Sequence, residues 1–212
     1  MSYTNNNTFN VYDTNLISEE LFQEVVLLPY QFTRTDNVPT RDNPNLELDG
    51  MYWTHQLYNF TPIDDPEYYQ NAGIGGSNNK LYLDVLTYLE AKIPNLPPRD
   101  HLYSSYINVL RYGNSPGIHV DAPYYVPENK TVLVYLNPVW QPDWGGETIF
   151  FDDDLDSKRL VQPRAGRVVL FDGRIPHTGT TGNIRFLYNR YVLTYKYMPV
   201  SYTHLTLPTS AI

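Results

Sequence analysis

Cysteine is absent from the 212 residues, which rules out disulfides, zinc fingers and thiol nucleophiles and leaves thiol usage silent on redox compartment. Long apolar runs are lacking as well. None approaches the roughly 18 residues that span a bilayer, and the polar start, Met1 to Asn10, lacks the basic-then-apolar profile of a signal peptide. These absences predict a soluble cytoplasmic protein with no membrane partner, in the host cytoplasm if the source is a virus. Positive charge is scarce: 15 Lys and Arg stand against 23 Asp and Glu, a formal net charge of -8. Proteins that grip a phosphate backbone need a clustered basic surface, so the balance argues against nucleic acid as a partner.

What is present points to strands. Twenty tyrosines and 17 prolines, with many Gly and Asn turn residues, favour a mainly β body with ordered loops. The length suits one domain, read as residues 1–200. Two helices are expected. Ser18 caps the first, whose residues Leu21, Phe22, Val25, Val26 and Leu28 recur near helical spacing behind Glu19 and Glu20; the second runs from about Asn79 to Ile93 on a Leu81, Val85, Leu86 and Leu89 stripe. Tyr30 to Ser77 alternates weakly and reads as short strands and long loops that shape a substrate mouth. From Tyr103 the pattern changes to apolar alternating runs at Tyr106–Tyr112, Thr131–Leu136, Glu147–Phe151, Arg167–Phe171 and Tyr191–Tyr197, the grammar of a sandwich or jelly roll with its core at about 103–198. Residues 201–212 have neither charge nor amphipathic period. They resemble translated adapter read-through, so this stretch, with His204, is read as a non-native or disordered tail.

Two histidine segments stand out: Gly117-Ile118-His119-Val120-Asp121 and, 58 residues after His119, His177 in Arg174-Ile175-Pro176-His177-Thr178. Two imidazoles and a carboxylate are the ligand set of a facial triad, which holds Fe(II) at three positions and leaves three for co-substrate and oxygen. The tripeptide alone is equally compatible with a turn in which Asp121 accepts backbone donors and His119 lies at the surface. Position favours the triad, because His119 and Asp121 follow an apolar run and a turn, and strand alternation would put both on one face. His177 likewise follows a buried strand and a turn stiffened by Pro176.

Four blocks in register resemble the 2-oxoglutarate and Fe(II) dependent dioxygenases, specifically the prolyl-hydroxylase-like branch with its small viral and bacterial members: Leu110 to Asp121; Thr131 to Asn137 followed by Trp144-Gly145-Gly146-Glu147-Thr148; Pro163 to Asp172 leading to His177; and Arg190 to Tyr197. The resemblance covers roughly Tyr103 to Tyr197. It implies a double-stranded β-helix, a cupin-like jelly roll with flanking helices. It also implies Fe(II) on His119, Asp121 and His177, with 2-oxoglutarate and O2 as co-substrates and ascorbate as a reductant. The far carboxylate of 2-oxoglutarate calls for a guanidinium fork. Arg185 lies nearer the family's spacing from His177, whereas Arg190 begins the segment most like the last barrel strand and is preferred; Thr194 shares its face by alternation. Tyr135 and Tyr112 resemble the family's co-substrate tyrosines.

The resemblance favours hydroxylation of an unactivated carbon in a peptidyl or free amino acid, proline first, with succinate and CO2 released. A non-catalytic jelly-roll binding module, and an oxygenase acting on a small molecule or nucleobase, are the alternatives. An iron halogenase is disfavoured by Asp121 itself, since halogenases of this fold carry a small residue there.

Overall fold

One strand, β10 (Arg190–Tyr197), is buried along both faces, and the other elements are arranged around it. In the computed structural model, which describes residues 9–35, 50–59, 80–114, 116–122, 128–152, 155–184 and 188–198, β10 pairs antiparallel with β4 (Leu102–Leu110) on one side and β5 (Lys130–Tyr135) on the other. Beyond β5 come β8 (Val168–Asp172) and β1 (Phe9–Tyr12); beyond β4 come β3 (Gly50–Asn59) and β2 (Gln31–Thr35), completing a seven-stranded sheet. A smaller sheet is built from β7 (Ser157–Val161), β6 (Thr148–Phe151) and β9 (His177–Gly179), in that order. This is the jelly-roll architecture expected, with every strand pair antiparallel.

The period of two along β10 divides the molecule into two cores. Tyr191, Leu193, Tyr195 and Tyr197 point outward and pack with α1 (Glu19–Val26) and α2 (Lys80–Lys92) in the larger apolar cluster. Val192 points inward, joining Leu133, Tyr135, Val169 and Phe171 of the large sheet and Phe150 and Val161 of the small one. A strand covered on both sides needs apolar residues at nearly every position, which is why Tyr191 to Tyr195 is apolar throughout except for Thr194.

The helices form where the pattern places them. Ser18 caps α1, its Oγ accepting from Leu21 N at 3.2 Å. α2 buries the expected stripe and Tyr82 besides, whose carbonyl accepts the Tyr195 hydroxyl at 3.1 Å. Three expectations are corrected. Residues 50–59 form one long strand, bulged between Gln56 and Tyr58, where short strands were expected. The polar start contains β1, whose Phe9 faces Phe150 edge-on at 4.8 Å. His119 to Asp121 is not a strand but an isolated bridge opposite His177. Arg185, His204, the tail 201–212 and much of Tyr30 to Ser77 lie outside the described residues.

Phe150 and Phe171 meet edge-to-face at 5.0 Å between the sheets, Phe171 wholly buried. Phe171→Ala should cost about 3–5 kcal/mol, against about 1 kcal/mol for loss of the exposed cap in Ser18→Ala. Urea denaturation of the two variants should show that order; equal losses would contradict this division of the core.

Candidate metal centre

His119 and His177 come together because their backbones exchange two hydrogen bonds, His119 N to His177 O at 3.0 Å and His177 N to His119 O at 2.9 Å. The next step of the same seam is Gly173, whose carbonyl accepts Asp121 N at 2.7 Å and Ala122 N at 3.1 Å. The approach is close enough to demand glycine: a Cβ on residue 173 would lie 2.3 Å from Asn129 Oδ1 and 3.4 Å from Asp121 Cβ. Asp172 ties the turn into His177, its carboxylate accepting from Arg174 N at 3.0 Å and Arg174 Nε at 2.9 Å. As a result, ligand atoms of His119, Asp121 and His177 all lie within 4.8 Å of one another.

Orientation suits a metal. Each imidazole turns Nδ1 to a backbone carbonyl two residues upstream, His119 to Gly117 O and His177 to Ile175 O, both at 3.0 Å. A carbonyl only accepts, so Nδ1 carries the proton and Nε2 offers its lone pair. Those Nε2 atoms lie 3.7 and 3.5 Å from the Asp121 carboxylate. The His177 ring is clamped, stacked on Phe150 and edge-on to Phe171. Burial pushes its pKa down to about 4, which keeps it a neutral ligand.

Asp121 has a side chain only 2% exposed. Burial works to raise its pKa, but the Lys196 ammonium overrules it and holds the carboxyl well below the usual carboxylate range. Thr131 Oγ1 donates to Oδ2 at 2.8 Å, and the Lys196 ammonium pairs with Oδ1 at 2.7 Å. Two lone-pair nitrogens beside a buried carboxylate are a donor set that fits a divalent ion such as Fe(II).

Arg190 is 3% exposed on the inner face of β10, the strand that also carries Lys196. Its Nε donates to Gly146 O at 2.6 Å and one terminal nitrogen to Thr148 Oγ1 at 2.7 Å. Tyr135 lies beneath, its hydroxyl 2.6 Å from Thr148 Oγ1 and its ring 5.2 Å from the guanidinium carbon. A Cβ on Gly179 would sit 3.2 Å from Arg190 Nη1, so glycine keeps space open beside the fork. A cavity of about 290 Å³ joins these parts, lined by the triad, Arg190, Thr148, Thr194, Tyr106 and Lys196 among others. That guanidinium, with room beside it, fits the far carboxylate of 2-oxoglutarate.

The structure thus brings together His119, Asp121, His177, Arg190 and Thr194, with Tyr135 one layer behind the cavity wall. Tyr112 is not among them. It stands 65% exposed in the turn after β4, where Asn114 N donates to Arg111 O and turns the chain. Thr131, Thr148 and Lys196 were missed in the sequence, although the alternation that puts Thr194 beside Arg190 extends to Lys196.

A sequence model of the 2OG-Fe(II) oxygenase superfamily matches residues 107–197, the span that holds every one of these side chains. Over that span, a little under half of the chain, the sequence is similar to the 2OG-Fe(II) oxygenase superfamily. Fe(II), 2-oxoglutarate and O2 are the metal and co-substrates of that superfamily, and the His119, Asp121 and His177 cluster lies within the matched span. No curated protein matches by sequence. Solved structures share the fold. A Pseudomonas putida prolyl-4-hydroxylase is 16% identical with a TM-score of 0.55, covering 92% of this chain and 94% of its own. A Trichoplax adhaerens prolyl hydroxylase, in complex with a hypoxia inducible factor oxygen degradation domain peptide fragment, is 17% identical with a TM-score of 0.56, covering 95% and 88%.

Thr131→Val keeps the side-chain shape and removes the donor to Asp121. It should leave the fold intact and weaken Co(II), used as an air-stable probe, by about 10–100-fold in calorimetric titration. Unchanged affinity would mean that Thr131 does not position the carboxylate.

Proposed function

We propose that this oxygenase holds Fe(II) on His119 Nε2, Asp121 and His177 Nε2, anchors the far carboxylate of 2-oxoglutarate on Arg190, and hydroxylates an unactivated carbon of an amino acid, free or peptidyl. The observation that carries the reading is the cavity running from the buried Arg190 fork to the His119, Asp121 and His177 ligand atoms. When bound, iron and 2-oxoglutarate supply the oxidising power: O2 places one oxygen atom in succinate, with loss of CO2, and the other in a substrate C–H bond.

The protein's part is placement. Gly117 O and Ile175 O fix which imidazole nitrogens face the centre, and Thr131 fixes the carboxylate rotamer. Gly146 O and Thr148 hold the Arg190 plane, so its remaining N–H groups meet a carboxylate without reorganisation. Thr194 offers a hydroxyl to the same carboxylate, and Tyr135 acts through Thr148 and Arg190. Leu133 and Val192 contribute an apolar wall that limits water at the reacting carbon. Proline is the first candidate substrate, supported by the shared fold of the prolyl hydroxylases.

Anaerobic addition of Fe(II) and then 2-oxoglutarate should produce the weak visible charge-transfer band of a chelated keto acid. His177→Ala should abolish it. Arg190→Met should raise the 2-oxoglutarate needed by tenfold or more, since a charged hydrogen bond contributes about 1.5–3 kcal/mol, whereas Tyr112→Phe should change nothing. No band in the unaltered protein would defeat the reading.

A further inference from the structure

The cavity contains two cations, and the co-substrate accounts for one. Arg190 and Lys196 lie six residues apart on β10, and alternation puts both on its inner face, where both line the cavity. The triad lies at the Lys196 end, with Lys196 Nζ 2.7 Å from Asp121 Oδ1. Tyr106 is 5.3 Å from the same ammonium across its ring, and Tyr52 lines the same end of the cavity. Lys196 therefore lies beside the ligand atoms, at the other end of β10 from the guanidinium.

Asp121 is one carboxylate serving two cationic partners. Once a divalent ion takes its oxygens, the lysine shares the one ion-pair partner it has among the described residues with a stronger competitor. Among the described residues that line the cavity, Arg190 and Lys196 together with iron would bring four positive charges, against three negative ones from Asp121 and doubly ionised 2-oxoglutarate. A buried site with an uncompensated cation favours an anionic guest. Building on the oxygenase reading above, we infer that Lys196, with the Tyr106 and Tyr52 phenols, binds a carboxylate of the substrate itself, so that the preferred substrate is a free amino acid or similar small acid and not an internal residue of a peptide. The cavity of about 290 Å³ is at the small end for ligand sites, in keeping with a co-substrate and one small acid. Lys196 thereby becomes a specificity residue: it selects the substrate by its charge and holds the acid end while the carbon to be hydroxylated faces the triad.

The test uses the full chain, loaded anaerobically with Fe(II) and 2-oxoglutarate, and calorimetric binding of the twenty common amino acids, each beside its carboxamide, with N-acetylated and amidated forms as mimics of internal residues. At least one free acid should bind tenfold or more tightly than its amide, the range of a charged hydrogen bond. Lys196→Met should shrink that preference to less than twofold, measured on the fraction of the variant that gives the 2-oxoglutarate charge-transfer band. Acid and amide binding alike, binding confined to the doubly blocked forms, or no free acid binding at all would each overturn the inference, and the comparison in the unaltered protein stands even if the variant does not fold. A preference that survives Lys196→Met would also overturn it, as would loss of the band in the variant, which would make Lys196 a positioning residue for Asp121. Loss of the band in the unaltered protein is a different failure, that of the oxygenase reading beneath.

Discussion

A carboxylate buried to 2% exposure has to be compensated, and the centre is built around that need. Asp121 receives a hydroxyl from Thr131, an ammonium from Lys196 and two imidazole edges. Each comes from a different part of the chain: Thr131 from β5, Lys196 from β10, His177 from the start of β9. The backbone at Asp121 is fixed independently, through Gly173 O. An isolated anion in this position would be costly; surrounded in this way it becomes the point at which strands from both sheets converge.

β10 then explains how one domain carries both structure and chemistry. Its outward residues tie the helices to the large sheet, and its inward residues are Arg190, Val192, Thr194 and Lys196. The same strand thus presents a guanidinium for a dicarboxylate at one end and an ammonium beside the ligand cluster at the other. Placement on a strand buried on both faces gives those groups little freedom to move, which suits a reaction that depends on holding a carbon against a reactive centre.

Much of this was legible in the residues. The period-two runs match β4, β5, β6, β8 and β10, because apolar alternation directly reflects packing between layers, whereas β7 and β9 have no such run. The triad was legible because two ligands lie two residues apart and the third follows a buried strand. Less could be read where pairing between distant segments decides. The His119 and His177 bridge joins residues far apart in sequence, so His119 to Asp121 looks like a strand in isolation although it makes only one bridge. Tyr112 misled because it follows β4 directly, and the Arg111 to Asn114 turn sends it outward. Thr131 and Thr148 carry no motif of their own. Their roles come from cross-strand register, Thr131 opposite Lys196 and Thr148 opposite Gly179.

The central claim is that one iron sits between His119 Nε2, Asp121 and His177 Nε2, facing the Arg190 cavity. Diffraction from anaerobic crystals soaked in Fe(II), with anomalous differences collected at the iron edge, tests it directly. The account predicts a single strong peak within bonding distance of all three side chains, about 2.0–2.2 Å, with the Nδ1 contacts to Gly117 O and Ile175 O retained. A peak elsewhere, or Asp121 still held by Lys196 with no iron beside it, would contradict the account.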